Sequence, residues 1–133
     1  MSTEATIESV LAMHTIAVVG LSPKVERPSH GVTRYLLAQG YRVIPVNPGY
    51  DNILGLKCYP SLGAIPEPVE VVDVFRRAEH AVSVAEEAIA VGAKALWLQL
   101  GIVNDEAVRL AEEAGLLAVQ NRCIKIEHER RHY

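Results

Sequence analysis

Short aliphatic runs alternate along the chain with amphipathic segments of helical spacing. Apolar runs without polar interruption are typical of strands that are buried on both faces of a parallel sheet. Apolar positions three and four residues apart indicate helices that pack against such a sheet. The pattern predicts helices at about 3–12, 29–39, 79–91 and 104–114, and strands at about 15–20, 42–46, 70–75, 94–99 and 116–120.

A glycine separates helix from strand in three places, at Gly40, Gly92 and Gly115. Glycine commonly ends a helix because it adopts a left-handed conformation without steric cost. Helices alternating with strands indicate βαβ units, whose right-handed crossovers place helices on both faces of the sheet. The sequence therefore predicts an α/β fold: a Rossmann-like three-layer αβα sandwich with a five-stranded parallel sheet.

Two segments fall outside this alternation. Residues 49–68 are rich in glycine, proline and tyrosine, and we expect one short helical turn after Tyr59. The tail 125–133 is charged, and we expect it to lie on the surface.

Composition narrows the classes of function. The 133 residues suit one domain, 1–133, and the net charge of −3 gives no general attraction to nucleic acid. Cys58 and Cys123 have neither metal-ligand spacing nor a disulfide framework. No run approaches the roughly 20 apolar residues of a membrane span. We expect a cytoplasmic protein without a metal; its oligomeric state is not indicated.

Polar residues follow each predicted strand. In an open parallel sheet, ligands bind beyond the carboxyl ends of the strands, where the strand order reverses. The sheet interior is otherwise aliphatic, so a polar edge predicts a binding crevice. The segments are Gly20-Leu21-Ser22, Asn47-Pro48-Gly49, Phe75-Arg76-Arg77, Gln99-Leu100-Gly101 and Asn121-Arg122-Cys123.

The first of these segments predicts a phosphate site. Gly20 ends an apolar strand, Ser22 follows in a short loop, and Ser29 stands at a helix start. Helix N-termini bind anions through backbone N–H groups and the helix dipole. The simpler alternatives are a tight turn at Gly20 and a helix N-cap at Ser29. For the functional alternative, we expect valine at position 20 to abolish binding while the fold survives.

Cationic side chains near this loop are further candidates. Lys24 and Arg27 lie in the loop, where cations for phosphate are expected, although both also suit exposed positions. His30 is a candidate donor to phosphate, with a surface or capping role as the alternative. Arg76 is a candidate ligand contact or a solvated cation.

Asn47 bears on which nucleotide binds. Sites for NAD usually have a G-x-G-x-x-G turn and an acidic residue at the end of the second strand. This chain has neither, because the second and third glycines are missing and Asn47 occupies the acidic position. Asparagine tolerates a phosphorylated ribose, as in coenzyme A or NADP, which a carboxylate would repel.

Several blocks together resemble a known family. They are Ile16–Ser22, Arg27–His30, Val43–Pro48, Trp97–Gly101 and Asn121–Ile124. In order and spacing the chain is similar, over about residues 6–130, to the small single-domain CoA-binding proteins. These in turn resemble the N-terminal CoA-binding domain of the succinyl-CoA synthetase alpha subunit.

The resemblance implies a Rossmann-like domain that binds coenzyme A or an acyl-CoA. By analogy, Gly20–Ser22 and the next helix hold the phosphates, Asn47-Pro48 and Phe75-Arg76 flank the adenosine, and Gln99–Gly101 line the crevice further along. The synthetase subunit continues into a second domain with a phosphorylated histidine, which this sequence does not contain. The resemblance therefore implies binding and not ligase activity.

No catalytic constellation accompanies the binding signals. None of the five histidines occurs in a pattern that pairs it with a catalytic serine, cysteine or aspartate. His128 and His132 are spaced i, i+4, as metal ligands on a helix can be, but we expect this spacing to be a coincidence in a charged tail. We expect a binding protein without catalysis of its own: a carrier, a sensor or a partner of an acyl-CoA enzyme. The alternatives are an NAD(P)-binding oxidoreductase or redox sensor on the same fold, and an interaction subunit with a vestigial crevice.

Overall fold

The five predicted strands and four predicted helices form close to where the hydrophobic pattern places them. A computed structural model of the protein describes residues 2–131. Its strands are β1 (Thr15–Val19), β2 (Arg42–Val46), β3 (Asn52–Ile53), β4 (Leu56–Lys57), β5 (Val71–Val74), β6 (Ala95–Leu98) and β7 (Leu117–Val119). Its α-helices are α1 (Thr3–Leu11), α2 (Pro28–Ala38), α3 (Ala81–Ala90), α4 (Asp105–Glu113) and α5 (Ile124–Glu129).

Five strands pair in parallel in the order β2-β1-β5-β6-β7. Val19, the last residue of β1, is in register with Val46 of β2 on one side and Val74 of β5 on the other. From β1 the chain first adds β2 on one side of β1, and it later adds β5 on the opposite side. This reversal of strand order opens a crevice beyond the carboxyl ends of β1 and β5.

Helices cover both faces of the sheet. On one face, α3 and α4 contribute Val84 and Ala111 to an apolar cluster with the strands. On the other face, α1, α2 and α5 contribute Ile7, Leu36 and Ile124. The predicted Rossmann-like α/β sandwich with a five-stranded parallel sheet is confirmed. Within residues 2–131, no helix is long and apolar enough to cross a membrane.

The predicted glycine junctions also occur. Gly40, Gly92 and Gly115 follow helices and have φ angles of +90°, +77° and +91°. Strand and helix ends differ from the predicted ones by a residue or two, and the helix predicted at 79–91 begins with a 3-10 turn, Ala78–His80. Residues 49–68 contain the antiparallel β3–β4 pair and the expected short turn, Leu62–Ala64. The sequence pattern did not reveal the hairpin because each of its strands has only two residues.

The prediction of a charged surface tail is wrong for its first part. Residues 124–129 form α5, in which Glu127 and His128 are buried. The buried carboxylate of Glu127 accepts a hydrogen bond from Arg131 Nη1 at 3.0 Å, and the Tyr35 hydroxyl lies 2.5 Å from His128 Nδ1. These polar side chains can be buried because each has a hydrogen-bonding partner within the protein. His132 and Tyr133 lie outside the described residues.

Candidate functional site: a two-part crevice

The crevice at the reversal of strand order consists of two recesses of about 370 Å³ each. They adjoin, because Pro28 and Phe75 line both. We call one the polar recess, whose main lining residues are Gly20, Ser22, Lys24, Arg27, Ser29 and Asn47. We call the other the apolar recess, whose main lining residues are Val32, Phe75, Gln99, Leu100, Ile102 and Ile126.

Gly20 allows β1 and β5 to end close together. Its φ is +87°, and a Cβ at this position would lie only 2.4 Å from the carbonyl oxygen of Phe75. Its N–H donates to the Val46 carbonyl at 2.9 Å. The backbone itself therefore requires glycine here. Contrary to the expectation for valine at position 20, a side chain there would disturb the fold as well as a ligand.

Hydroxyl groups hold the loop that follows β1. The N–H of Ser22 donates to Ser29 Oγ at 3.0 Å, and the N–H of Lys24 donates to Ser22 Oγ at 3.1 Å. Each hydroxyl accepts through a lone pair, so its proton can be donated to a ligand oxygen. Ser29 is not the helix N-cap: Arg27 occupies that position, without a side-chain cap, and Pro28 is the first helical residue. The helix begins one residue earlier than predicted because proline suits its first position.

The polar recess favours an anion. Lys24 and Arg27 are exposed at its rim, beside the hydroxyls of Ser22 and Ser29, and no Asp or Glu is among its lining residues. Cations and hydroxyl donors beside a helix N-terminus are the groups that bind phosphate oxygens. This local positive cluster occurs in a chain whose net charge is −3.

Asn47 ties the loop to the end of β2. Its Nδ2 donates to the Leu21 carbonyl at 3.0 Å, and its Oδ1 accepts from the N–H of Gly49 at 2.9 Å. Both ends of the carboxamide are therefore engaged within the protein. Asn47 lines the polar recess but acts there as a positioning residue, which holds the loop from Gly20 to Lys24 in place.

A buried acid lies beneath the apolar recess. The Asp73 side chain on β5 has no exposed surface, and burial raises its pKa to about 7 although a hydrogen bond from Gln99 acts in the opposite direction. Gln99 Nε2 donates to Asp73 Oδ1, and Gln99 Oε1 accepts from the N–H of Ile124. These contacts fix the carboxamide of Gln99, a residue that lines the recess. Asp73 Oδ2 is buried and has no hydrogen-bond partner among residues 2–131.

Most of the predicted site residues meet in the crevice. Gly20, Ser22, Lys24, Arg27, Ser29 and Asn47 line the polar recess, Arg76 and Gln99 the apolar recess, and Phe75 both.

Four predicted site residues do not line either recess. Leu21 is fully buried in the core and offers only its carbonyl, to Asn47. His30 is 6% exposed, and its Nδ1 is buried with no hydrogen-bond partner in the part of the chain that the structure describes. Pro48 lines a separate recess of about 140 Å³, which Arg76 also borders. The N–H of Gly101 donates to Asn121 Oδ1.

Sequence reasoning missed several lining residues. Tyr50 lies in the polar recess, in a segment with no recognisable pattern. Val32 and Ile102 line the apolar recess but carry no polar group that would mark them in the sequence. Ile126 reaches the apolar recess through α5, which was not predicted, whereas Cys123 belongs to a segment expected at this edge and stands just before that helix. The available signal was the i, i+3, i+4 spacing of the buried residues Ile124, Glu127 and His128.

Comparison with known proteins identifies the family. The model of a family described as the CoA binding domain matches residues 14–129. The chain belongs to this family. It is 44% identical over 113 residues to the uncharacterized protein YneT of Bacillus subtilis (strain 168), covering 85% of this chain and 84% of that protein.

Two further relatives place this CoA-binding domain in context. It is 32% identical over 100 residues to acetate–CoA ligase [ADP-forming] II of Archaeoglobus fulgidus, covering 74% of this chain but 15% of the ligase. A solved structure of a hypothetical protein from Pyrococcus horikoshii OT3 superposes with a TM-score of 0.92 at 47% identity, covering 98% of this chain and 92% of that one. The chain is thus homologous to one part of a longer ligase, and the expected family is confirmed.

Proposed function

We propose that this chain binds coenzyme A in the two-part crevice, without catalysis of its own, as a carrier, sensor or partner of an acyl-CoA enzyme. The observation that carries the proposal is the polar recess: two cations and two hydroxyl donors beside a helix N-terminus, with no carboxylate in the lining. Coenzyme A presents a diphosphate and a 3′-phosphate, so a cationic recess suits it.

The two recesses suit the two ends of this ligand. Lys24 and Arg27 would bind phosphate oxygens, and the protons of Ser22 and Ser29 would complete their hydrogen bonding. Tyr50 would supply an aromatic face for the adenine. The pantetheine arm would then pass Pro28 and Phe75, which border both recesses, into the apolar recess.

An NAD(P)-dependent enzyme is not favoured. The turn after β1 lacks two of the three fingerprint glycines, and the end of β2 carries Asn47 in place of an acid that would bind the ribose hydroxyls. Asn47 is moreover tied to Leu21 and Gly49, and its carboxamide lacks the negative charge with which an acid would bind the ribose of NAD. The family match points in the same direction.

Isothermal titration with coenzyme A, 3′-dephospho-CoA, NAD and NADP tests the proposal. We expect coenzyme A to bind, and its dephospho form to bind more weakly because it lacks one phosphate. Raising the ionic strength should weaken binding, since exposed charges at the rim are screened within about 8–10 Å near physiological salt. Binding of NAD without binding of coenzyme A would refute the proposal.

A further inference from the structure

The apolar recess is lined mainly by aliphatic and aromatic side chains. Its walls are Val32, Phe75, Leu100, Ile102 and Ile126, and its volume is about 370 Å³. A cavity of roughly 150 Å³ lined by similar side chains is enough to hold benzene. The recess therefore has room for the end of a pantetheine arm together with a short hydrocarbon chain.

Two wall residues indicate that the recess receives an apolar group. Leu100 and Ile126 are 64% and 47% exposed, which is unusual for large aliphatic side chains brought together on one surface. Both line the recess, which continues directly from the polar recess at Pro28 and Phe75. An apolar group attached to a phosphate-bearing ligand would cover them.

The recess also offers one fixed polar group. The carboxamide of Gln99 has two N–H donors, one of which is given to Asp73 Oδ1. Its Oε1 accepts from the N–H of Ile124, so the side chain cannot turn freely. The remaining N–H is suited to a carbonyl oxygen. Arg76, the charged residue among the lining, stands at the border with the recess of Pro48.

We propose that the apolar recess binds the acyl group of a short, uncharged acyl-CoA thioester, with Gln99 donating to a carbonyl of the ligand. This inference rests on the proposed function and names its ligand class. Each methylene that is fully buried should raise affinity about fourfold, which corresponds to about 0.8 kcal/mol. Butyryl-CoA should then bind up to about 15 times more tightly than acetyl-CoA, from which it differs by two methylenes.

The test is a calorimetric titration of the protein with coenzyme A, acetyl-CoA, butyryl-CoA and succinyl-CoA. We expect affinity to rise from acetyl-CoA to butyryl-CoA and to fall for succinyl-CoA, whose carboxylate would lose water in an aliphatic recess. If coenzyme A binds and the acyl forms bind alike, or if succinyl-CoA binds as tightly as butyryl-CoA, this inference alone is overturned. If none of the four binds, the proposed function fails with it.

Exposed wall residues provide variants that leave the core intact. The double variant Leu100→Ser, Ile126→Ser should reduce the affinity ratio of butyryl-CoA to acetyl-CoA to below about threefold, because less apolar surface is buried. Val103→Ser is the matched control: Val103 is 50% exposed in the same segment but is not among the lining residues. A wild-type ratio that persists in the double variant would contradict the proposal.

Discussion

The two recesses of the crevice have similar volumes and share Pro28 and Phe75, yet they differ in construction. The polar recess is formed largely by a loop whose shape depends on two hydrogen bonds, from the N–H of Ser22 to Ser29 Oγ and from Asn47 Nδ2 to the Leu21 carbonyl. The apolar recess is formed by side chains from α2, α5 and the segments after β5 and β6, above a buried acid. Changes in the loop should therefore affect phosphate binding, whereas changes under the apolar recess should affect stability and its dependence on pH.

The largest effect is expected at the turn after β1, where Gly20 lies against the backbone of Phe75. Gly20→Ala should lower the free energy of unfolding by about 3 kcal/mol, because it combines an unfavourable left-handed φ with a Cβ 2.4 Å from the Phe75 carbonyl oxygen. Urea denaturation measures the loss. Gly40→Ala is the matched control: its φ is +90°, but no atom of residues 2–131 beyond its two chain neighbours lies within 4 Å of the added Cβ. We expect a loss of about 1 kcal/mol there, from the left-handed backbone alone. Equal losses in the two variants would show that the close approach at Gly20 has no cost.

Removal of both cations tests the polar recess. Lys24→Gln, Arg27→Gln should lower the affinity for coenzyme A about 100-fold, because each charge-assisted hydrogen bond contributes at least about 1.4 kcal/mol. Calorimetry measures the change in affinity. The affinity of the double variant should also depend less on salt concentration than that of the wild type. Arg34→Gln is the control, since Arg34 is exposed on α2, the helix that follows Arg27, and lines neither recess. A similar loss in the control would indicate a general effect of charge rather than a local site.

The acid beneath the apolar recess should make stability depend on pH. Asp73 retains its proton in the folded state up to about pH 7, whereas the unfolded chain releases it near pH 4. The unfolded state therefore binds fewer protons between these values, and stability falls by up to about 1.4 kcal/mol per pH unit as pH rises. Asp73→Asn should remove this fall while keeping an acceptor for Gln99.

Denaturation of the wild type and Asp73→Asn at pH 5, 6, 7 and 8 measures this difference. We expect the variant to gain on the order of 2 kcal/mol over the wild type between pH 5 and pH 8. A constant difference across this range would mean that Asp73 is already ionised in the folded protein.

A smaller effect is expected for the tether between loop and sheet. Asn47→Ala removes the donor to the Leu21 carbonyl and the acceptor for the N–H of Gly49, which should cost about 1 kcal/mol of stability. Binding of coenzyme A should weaken about tenfold, since the loop loses its fixed position. Titration and thermal unfolding measure the two effects, and undiminished affinity would show that the loop holds its shape without Asn47.

The hydrophobic pattern predicted the sheet well because its strands are aliphatic on both faces. The site residues after β1, β2, β5 and β6 were predicted from the rule that ligands bind at the carboxyl ends of parallel strands. Most of these residues meet in the crevice. The pattern failed at α5, where Glu127 and His128 look like a solvated tail but are buried against partners. The sequence also predicted His30 as a site residue, but its imidazole is buried and lines neither recess. Whether a histidine is buried depends on tertiary packing, which the sequence pattern does not show.

Titration of ¹⁵N-labelled protein with coenzyme A, followed by the backbone amide signals, tests most directly whether the polar recess binds the phosphates of coenzyme A. We expect the largest shifts at Ser22, Lys24 and Ser29, with smaller shifts at Gln99 and Leu100. Shifts confined to Ser61 and Ser83, which line the separate recess of Pro48, or no shifts at all, would contradict this expectation.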